Sequence, residues 1–157
     1  MNDTRVFIHG LLGHSQGTKA TFLRERYPDM IIEDFRGTLE ERMDKLNSVL
    51  AGKESIVMVG SSLGGLMAAM FALDNQERVK KLILLAPALA TEEFMPNLEK
   101  RTDTPATIYH GKDDDVVPLA PVQDIAHRVF NNLTFNTVDD DHVLSKTFTV
   151  IDWDTLL

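Results

Sequence analysis

The chain has 157 residues, of which 43% are hydrophobic and 25% charged, and it contains no cysteine. This length and composition indicate one globular domain over residues 1–157 and exclude a disordered or collagen-like chain. The lack of cysteine excludes disulfides, a thiol nucleophile and thiolate-bound metals, and the formal net charge of −8 opposes binding to nucleic acid or to an anionic membrane.

The amino-terminal residues do not have the pattern of a secretory signal, because they lack a basic start followed by an apolar core. The longest apolar run, residues 79–90, is interrupted by Lys80, Lys81 and Pro87. It is shorter than the roughly 20 apolar residues that span a bilayer. We therefore expect a cytoplasmic protein without membrane insertion, whose oligomeric state the sequence leaves open.

Short β-branched runs alternate with amphipathic segments of helical length along the whole chain. Strands are predicted at residues 5–10, 30–34, 55–60, 79–86, 107–110 and 133–138. Helices are predicted at residues 18–26, 39–50, 64–75, 121–130 and 143–155. This alternation predicts an α/β fold of about six mostly parallel strands, with helices on both faces of the sheet.

Three details of the predicted helices bear on packing. Thr38 followed by Glu41 is typical of a capping box, and Pro121 suits the first turn of a helix. The charged residues 40–42 indicate a solvent-exposed face. Met67, Met70 and Phe71 follow the third strand at helical spacing and are predicted to lie in the core.

The third predicted strand is followed by Gly-Ser-Ser-Leu-Gly at residues 60–64. The two outer glycines permit a sharp strand-to-helix turn that would expose the hydroxyl of Ser62 as a nucleophile. The alternatives are a plain glycine-rich turn and a phosphate-binding loop, although no Gly-Lys-Ser/Thr follows as in a P-loop. In open parallel sheets, ligands bind outside the carboxyl ends of the strands, which is where this turn lies.

A serine nucleophile needs a base and a carboxylate that orients the base. The candidates are His142, after the sixth strand, and one of three adjacent acids after the fifth strand, among them Asp114. Asp113 and Asp115 remain alternatives for the acid. The acidic run lacks the glycine and distal glutamate of a calcium-binding loop, so we expect no metal site. The other four histidines are interpreted as loop or surface residues: His9, His14, His110 and His127.

Five segments, in chain order, resemble the α/β-hydrolase family. Residues 9–15 (His-Gly-Leu-Leu-Gly-His-Ser) are similar to its oxyanion loop, and residues 34–37 (Asp-Phe-Arg-Gly) to its Asp-x-Arg-Gly turn. Residues 60–64 resemble its nucleophile elbow. Residues 110–118 resemble its acid-bearing loop, and His142 falls where the family has its base.

The resemblance implies a role for each of these positions. Ser62 would be the nucleophile, His142 the general base and Asp114 the orienting acid, and the backbone N–H groups of Leu11 and Leu63 would form the oxyanion hole. It also implies a minimal α/β-hydrolase fold without a cap domain, because residues 88–104 are too short for a lid of several helices. No cofactor is implied.

We therefore expect a serine hydrolase that acts on small or medium carboxylic esters or thioesters, with a small molecule as substrate. Candidate residues of an open, apolar substrate pocket are Leu12, His14, Phe94, Met95 and Val143. Phe94 and Met95 would either cover Ser62 as a flap or dock their loop onto the body of the protein. The alternative function is a non-catalytic ligand-binding protein on the same fold.

Overall fold

The computed structural model describes residues 2–157 and contains one six-stranded sheet with the order β2-β1-β3-β4-β5-β6. Every neighbouring pair of strands is parallel. The order reverses between β1 and β3, which makes a crevice at the carboxyl edge of the sheet. The strands are β1 Thr4–Ile8, β2 Ile31–Ile32, β3 Ile56–Ser61, β4 Val79–Leu85, β5 Ala106–Gly111 and β6 Leu133–Val138.

Helices cover both faces of this sheet. The α-helices are α1 Thr18–Arg26, α2 Leu39–Val49, α3 Leu63–Asp74, α4 Leu119–Val129 and α5 Trp153–Leu156, and 3₁₀-helices form at Glu92–Asn97 and Phe148–Val150. Helices α2, α3 and α4 bury their apolar residues on one face, whereas α1 and α5 do so on the other. The single short 3₁₀-helix between β4 and β5 leaves the fold without a cap domain.

The strands divide their side chains between the two faces in strict alternation. In β3, Ile56 and Met58 belong to one core cluster, whereas Val57 and Val59 belong to the other. This follows from the two-residue period of a strand. Both faces of the central strands are therefore buried, as the nearly continuous apolar runs of the sequence predict.

Helix α3 lies deepest in the molecule, and nine of its residues are buried, from Gly64 to Leu73. Met67 and Phe71 lie in the core, as predicted, and Met70 packs against it. Helix α2 begins with the predicted capping box, in which Thr38 Oγ1 accepts the N–H of Glu41 and a Glu41 carboxylate oxygen accepts the N–H of Thr38. None of the helices within residues 2–157 is long and apolar enough to cross a membrane.

The predicted helix over residues 143–155 is wrong. Asp140 accepts the N–H groups of Lys146 and Thr147, and Asp141 accepts those of Val143 and Leu144. These side chains take the place of helical backbone acceptors, and Leu144 has a left-handed φ of 58°. Regular structure is confined to Phe148–Val150 and Trp153–Leu156.

Candidate active site

Ser62 stands between β3 and α3, in a backbone conformation that side chains seldom adopt. Its φ is 54° and its ψ is −113°. The N–H of Ser62 donates to Leu85 O at 2.9 Å, and Ser62 O accepts the N–H groups of Gly65, Leu66 and Ala88. These bonds hold the strained turn, and strain of this kind is concentrated at functional sites.

The glycines on each side of Ser62 are required by close backbone packing. A Cβ at residue 60 would lie 2.4 Å from Gly64 O, and one at residue 64 would lie 2.0 Å from Ile8 O. Helix α3 therefore starts directly against the ends of β1 and β3. This contact explains the Gly-x-Ser-x-Gly spacing and places Ser62 at the carboxyl edge of the sheet, at the amino terminus of α3.

The structure brings Ser62, His142 and Asp114 together from three separate loops. The Oγ of Ser62 lies 3.0 Å from Nε2 of His142, and Nδ1 of His142 lies 2.7 Å from Oδ2 of Asp114. Because the carboxylate only accepts, Nδ1 carries the proton, and Nε2 is left to accept the serine hydroxyl. The arrangement can remove a proton from the serine hydroxyl as that oxygen attacks an electrophile.

Asp114 is held in place through its other oxygen. Its Oδ1 accepts the N–H groups of Val116 and Val117 at 2.9 and 2.7 Å. The buried His110 donates from Nε2 to Val117 O at 2.8 Å, and the same nitrogen lies 3.3 Å from Oδ2 of Asp114. The side chain of Asp114 is completely buried, whereas Asp113 and Asp115 are exposed. Of the three adjacent acids, only Asp114 contacts His142.

The loop that carries His142 is organised by the buried Asp140. Oδ2 of Asp140 accepts the N–H and the hydroxyl of Thr147 at 2.8 Å, and Oδ1 accepts the N–H of Asp141. Burial alone would raise the pKa of Asp140, but these hydrogen bonds to the carboxylate lower it below its ordinary value. An ionised Asp140 therefore fixes the backbone on both sides of His142.

Two backbone N–H groups beside Ser62 are free to bind an anion. Within residues 2–157, the N–H groups of Leu11 and Leu63 make no hydrogen bond to the protein, and both residues line the cleft next to Ser62. Leu11 belongs to a tight turn closed by Gly13 N–H and Gly10 O at 3.1 Å. Such preorganised donors are suited to the charge that develops on a carbonyl oxygen under attack.

His9 supports this turn rather than the serine. Its Nδ1 donates to Gly10 O at 2.7 Å, and its Nε2 accepts the N–H of Phe35 at 2.9 Å. Burial lowers the pKa of His9, so the ring is neutral at pH 7. His9 therefore binds backbone groups, in line with its interpretation from the sequence.

A cleft of about 620 Å³ opens above Ser62. Leu12, His14 and Val143 line it, together with Val116 and Lys19. The four apolar side chains at its rim are largely exposed: Leu11 (64%), Leu12 (95%), Val116 (64%) and Val143 (59%). The cleft is open, with apolar walls, and its volume suits a small ligand.

Among the described residues that line this cleft, Lys19 is the only lysine, arginine, aspartate or glutamate. It donates to Val143 O at 2.6 Å and lies over the ring of Phe148. Burial lowers the pKa of Lys19, and the nearby Asp140 and Asp141 oppose that shift. Among residues 2–157, no group of three or more His, Asp or Glu side chains could hold a metal ion.

Two predicted pocket residues lie elsewhere. Phe94 is fully buried in the core on the α3 side of the sheet, and Met95 is partly exposed; neither lines the cleft. The 3₁₀-helix Glu92–Asn97 turns Phe94 inward, because its aromatic ring gains more from burial than from lying at an open rim. Of the two alternatives for this loop, the burial of Phe94 favours docking onto the body, whereas the exposed Met95 supports neither.

The predicted position of Arg42 is also wrong. The sequence predicts a solvent-exposed face for Arg42, but the residue is only 3% exposed and its guanidinium donates to Leu11 O. Arg42 lies four residues before the buried Leu46 in α2. That i, i+4 spacing is the signal in the sequence that could have placed both side chains on one inward face.

Residues 3–104 match the family model for the alpha/beta hydrolase fold. The homoserine O-acetyltransferase of Thermus thermophilus is 40% identical over 60 residues, which are 38% of this chain and 14% of that protein. The (lyso)-N-acylphosphatidylethanolamine lipase of Bos taurus is 31% identical over 86 residues, which are 54% of this chain and 23% of that protein. The chain thus aligns with less than a quarter of the length of these curated relatives.

Solved structures resemble the chain over almost all of its length. Alpha/beta hydrolase domain-containing protein 10 from mouse superposes with a TM-score of 0.82 at 18% identity, covering 99% of this chain and 88% of that one. Est1E from Butyrivibrio proteoclasticus gives 0.79 at 19% identity, with coverages of 95% and 83%. A serine hydrolase homologue from Coxiella burnetii gives 0.78 at 20%, with 94% and 80%. At these identities the likeness is one of fold.

Proposed function

Because the chain belongs to the α/β-hydrolase family, we propose that it is a serine hydrolase that cleaves small or medium carboxylic esters or thioesters. The observation that carries the proposal is the relay of hydrogen bonds from Ser62 through His142 to Asp114, at 3.0 and 2.7 Å. A serine hydroxyl becomes an effective nucleophile when a base beside it is oriented by a carboxylate. The names of two relatives, an acetyltransferase and a lipase, are in keeping with this proposal.

In the first half of the reaction, Ser62 Oγ attacks the carbonyl carbon of the ester and His142 Nε2 takes the hydroxyl proton. The carbonyl oxygen becomes an oxyanion that accepts hydrogen bonds from the N–H groups of Leu11 and Leu63. His142 then gives its proton to the leaving alcohol or thiol, and the acyl group stays on Ser62. Asp114 keeps the imidazole in the required tautomer and stabilises its charged form.

In the second half, water attacks the carbonyl carbon of the acyl-enzyme and His142 takes one of its protons. The same two N–H groups bind the new oxyanion. Collapse of the intermediate returns the proton from His142 to Ser62 Oγ and releases the carboxylic acid. Each half uses one preorganised set of donors, so the binding energy of these donors is realised in both transition states.

The size of substrate is inferred from the cleft. Its volume of about 620 Å³ and its exposed apolar rim offer room for a short acyl chain. With no lid over Ser62, a long chain would extend into water and gain little from burial. We therefore expect acetyl and butyryl esters to be better substrates than esters of long fatty acids.

A fluorophosphonate probe tests the proposal, because it reacts with an activated serine. The wild type should be labelled and should hydrolyse p-nitrophenyl acetate and butyrate, whereas Ser62→Ala should do neither. Ser48→Ala, which removes an exposed hydroxyl from α2, is the matched control and should behave as the wild type. An unlabelled wild type that still binds ligands would favour the non-catalytic alternative and overturn the proposal.

A further inference from the structure

Arg42 is a buried cation that the proposed reaction does not use. It lies in the first turns of α2 and is 3% exposed. Its Nε donates to Gly37 O and its Nη2 to Leu11 O, both at 3.3 Å. The guanidinium therefore reaches from α2 to the turn that lies next to Ser62.

This cation has no partner of opposite charge. No carboxylate lies within 4 Å of it in the described part of the chain, and its Nη1 is buried without a hydrogen bond there. Burying an unpaired charge costs several kcal/mol even after the structure relaxes. An apolar side chain would fill the same place without that cost, so stability alone does not account for an arginine here.

The turn that Arg42 contacts has little else to hold its centre. Residues 10–13 form the turn, and the side chains of Leu11 and Leu12 are mostly exposed. The peptide between Gly10 and Leu11 is fixed, because Gly10 O accepts hydrogen bonds from both His9 Nδ1 and the N–H of Gly13. The next peptide, between Leu11 and Leu12, has only Arg42 as a hydrogen-bond partner within residues 2–157.

The central peptide of a tight turn can point its carbonyl to either face. With Leu11 O bonded to Arg42, the N–H of Leu12 points away from the buried guanidinium, because the C=O and N–H of a trans peptide are antiparallel. A flipped peptide would turn the Leu11 carbonyl to the other face of a turn that lines the cleft. Its partial negative charge would then oppose an oxyanion bound beside it.

We propose that Arg42 is the positioning residue of the oxyanion turn: its guanidinium holds the Leu11–Leu12 peptide with the carbonyl turned inward. The inference rests on the proposed function, since it assigns Arg42 a task in forming that oxyanion hole. Arg42 acts through the backbone of Leu11 and does not touch the reacting atoms.

The test compares Arg42→Met, which keeps the length of the side chain but removes its donors, with Arg42→Lys, which keeps a cation. Arg78→Met is the matched control. Arg78 also donates from a partly buried guanidinium to backbone carbonyls, those of Lys53 and Leu50, but does so where α2 leads into β3, at the opposite edge of the sheet. For each folded variant we would measure kcat and KM for p-nitrophenyl butyrate and the inhibition constant of a trifluoromethyl ketone, which forms an oxyanion on the serine.

Removing one oxyanion donor typically lowers kcat about 10²–10³-fold. Because Arg42→Met misplaces the turn without removing a donor, we expect it to lower kcat by less than that, but at least about tenfold. KM should stay near the wild-type value, the ketone should bind more weakly by a similar factor, and Arg42→Lys should recover part of both losses. Arg78→Met should lose stability but keep kcat and ketone affinity.

Two outcomes would overturn the inference while the proposed function survives. One is an active wild type whose folded Arg42→Met variant keeps its kcat and ketone affinity. The other is an Arg78→Met variant that loses as much of both. A wild type that neither reacts with a fluorophosphonate nor hydrolyses esters would instead overturn the proposed function, and the inference with it. If Arg42→Met does not fold, Arg42→Lys decides: we expect a partial loss of kcat and ketone affinity in that variant, and wild-type values of both overturn the inference.

Discussion

The backbone of Gly111 lies directly against the carbonyl oxygen of Asp140. A Cβ at residue 111 would stand 2.3 Å from that oxygen and 2.6 Å from Asp141 O. The loop that carries Asp114 and the loop that carries His142 therefore pack backbone to backbone. We expect this contact to determine the distance between the carboxylate of Asp114 and the imidazole of His142.

Gly111→Ala should separate the two loops. The added methyl meets backbone rather than a flexible side chain, so we expect a loss of about 3 kcal/mol in the free energy of unfolding, the upper end of the range for overpacking. A displacement of His142 by about 1 Å should lower kcat about 10²-fold. Urea unfolding and p-nitrophenyl butyrate hydrolysis would measure the two effects.

Gly52→Ala provides the control for this substitution. Gly52 has a φ of 73° and open space around its missing Cβ, so alanine there is strained but displaces nothing. It should lose stability without losing kcat. If Gly111→Ala keeps wild-type kcat, the contact between the loops does not set the geometry of the site.

Asp114→Asn should distinguish the orienting acid from its two neighbours. Asparagine can donate to His142 Nδ1 and so favours the wrong tautomer, and loss of the corresponding carboxylate in a serine protease lowers kcat about 10⁴-fold. Asp113→Asn and Asp115→Asn change exposed carboxylates and should keep most of the wild-type kcat. Equal losses in all three variants would point to a general effect of charge near the site.

Tyr27 should make the protein sensitive to alkali. Burial and the hydrogen bond from its hydroxyl to Asp154 at 2.5 Å raise the pKa of Tyr27 to about 12 from an ordinary value of 10.0. The folded state holds this proton more tightly than the unfolded state, so the linked stabilisation is fully present below pH 10 and is lost as the pH rises toward 12.

Tyr27→Phe checks this linkage, because phenylalanine has no proton to lose. The free energy of unfolding of the wild type should exceed that of Tyr27→Phe by a constant amount between pH 7 and 9. The difference should shrink between about pH 10 and 12. A difference that stays constant over that range would mean that the phenol titrates alike in both states.

The exposed rim of the cleft should contribute to substrate binding. Leu12→Ser removes an apolar side chain that a butyryl group could cover. We therefore expect the binding free energy of the substrate to weaken by about 1 kcal/mol, which raises KM about fivefold and leaves kcat nearly unchanged. Val150→Ser is the control, because Val150 is 77% exposed but does not line the cleft. An equal rise in KM in both variants would argue against a binding role for Leu12.

Much of the fold could be predicted because local patterns dictate it. The alternation of apolar strands with amphipathic helices is enough to predict a parallel sheet, and the glycines around Ser62 report a close approach of backbones that no other residue permits. His142 and Asp114 follow the carboxyl ends of other strands of the same parallel sheet, so they are predicted at the same edge as Ser62. These features depend on steric contacts between neighbouring residues and on the periodicity of apolar residues, and both can be recognised in a single sequence.

The wrong predictions concern residues whose positions depend on side-chain contacts that the periodicity of the sequence does not show. The sequence predicts a helix over residues 143–155, but the side chain of Asp140 accepts the N–H groups of Lys146 and Thr147, and this competition is not visible as periodicity. Arg42 stands beside two acidic residues in the sequence, yet α2 carries it beneath the turn that follows β1. Phe94 lies in the core, because burial of its aromatic ring outweighs a position at the open rim of the cleft.

Helix α3 packs against neighbours on nearly every side, and this has a consequence for how the protein loses activity. The strained backbone of Ser62 can relax only if the start of this helix leaves its place. Because the start of α3 is buried, it cannot move without unfolding of the core. We therefore expect the turn at Ser62 to unfold together with the central sheet. Heating or denaturant should therefore leave the backbone of Ser62 unchanged until the transition that unfolds the sheet, and any earlier loss of activity should arise in the loops of His142 and Asp114.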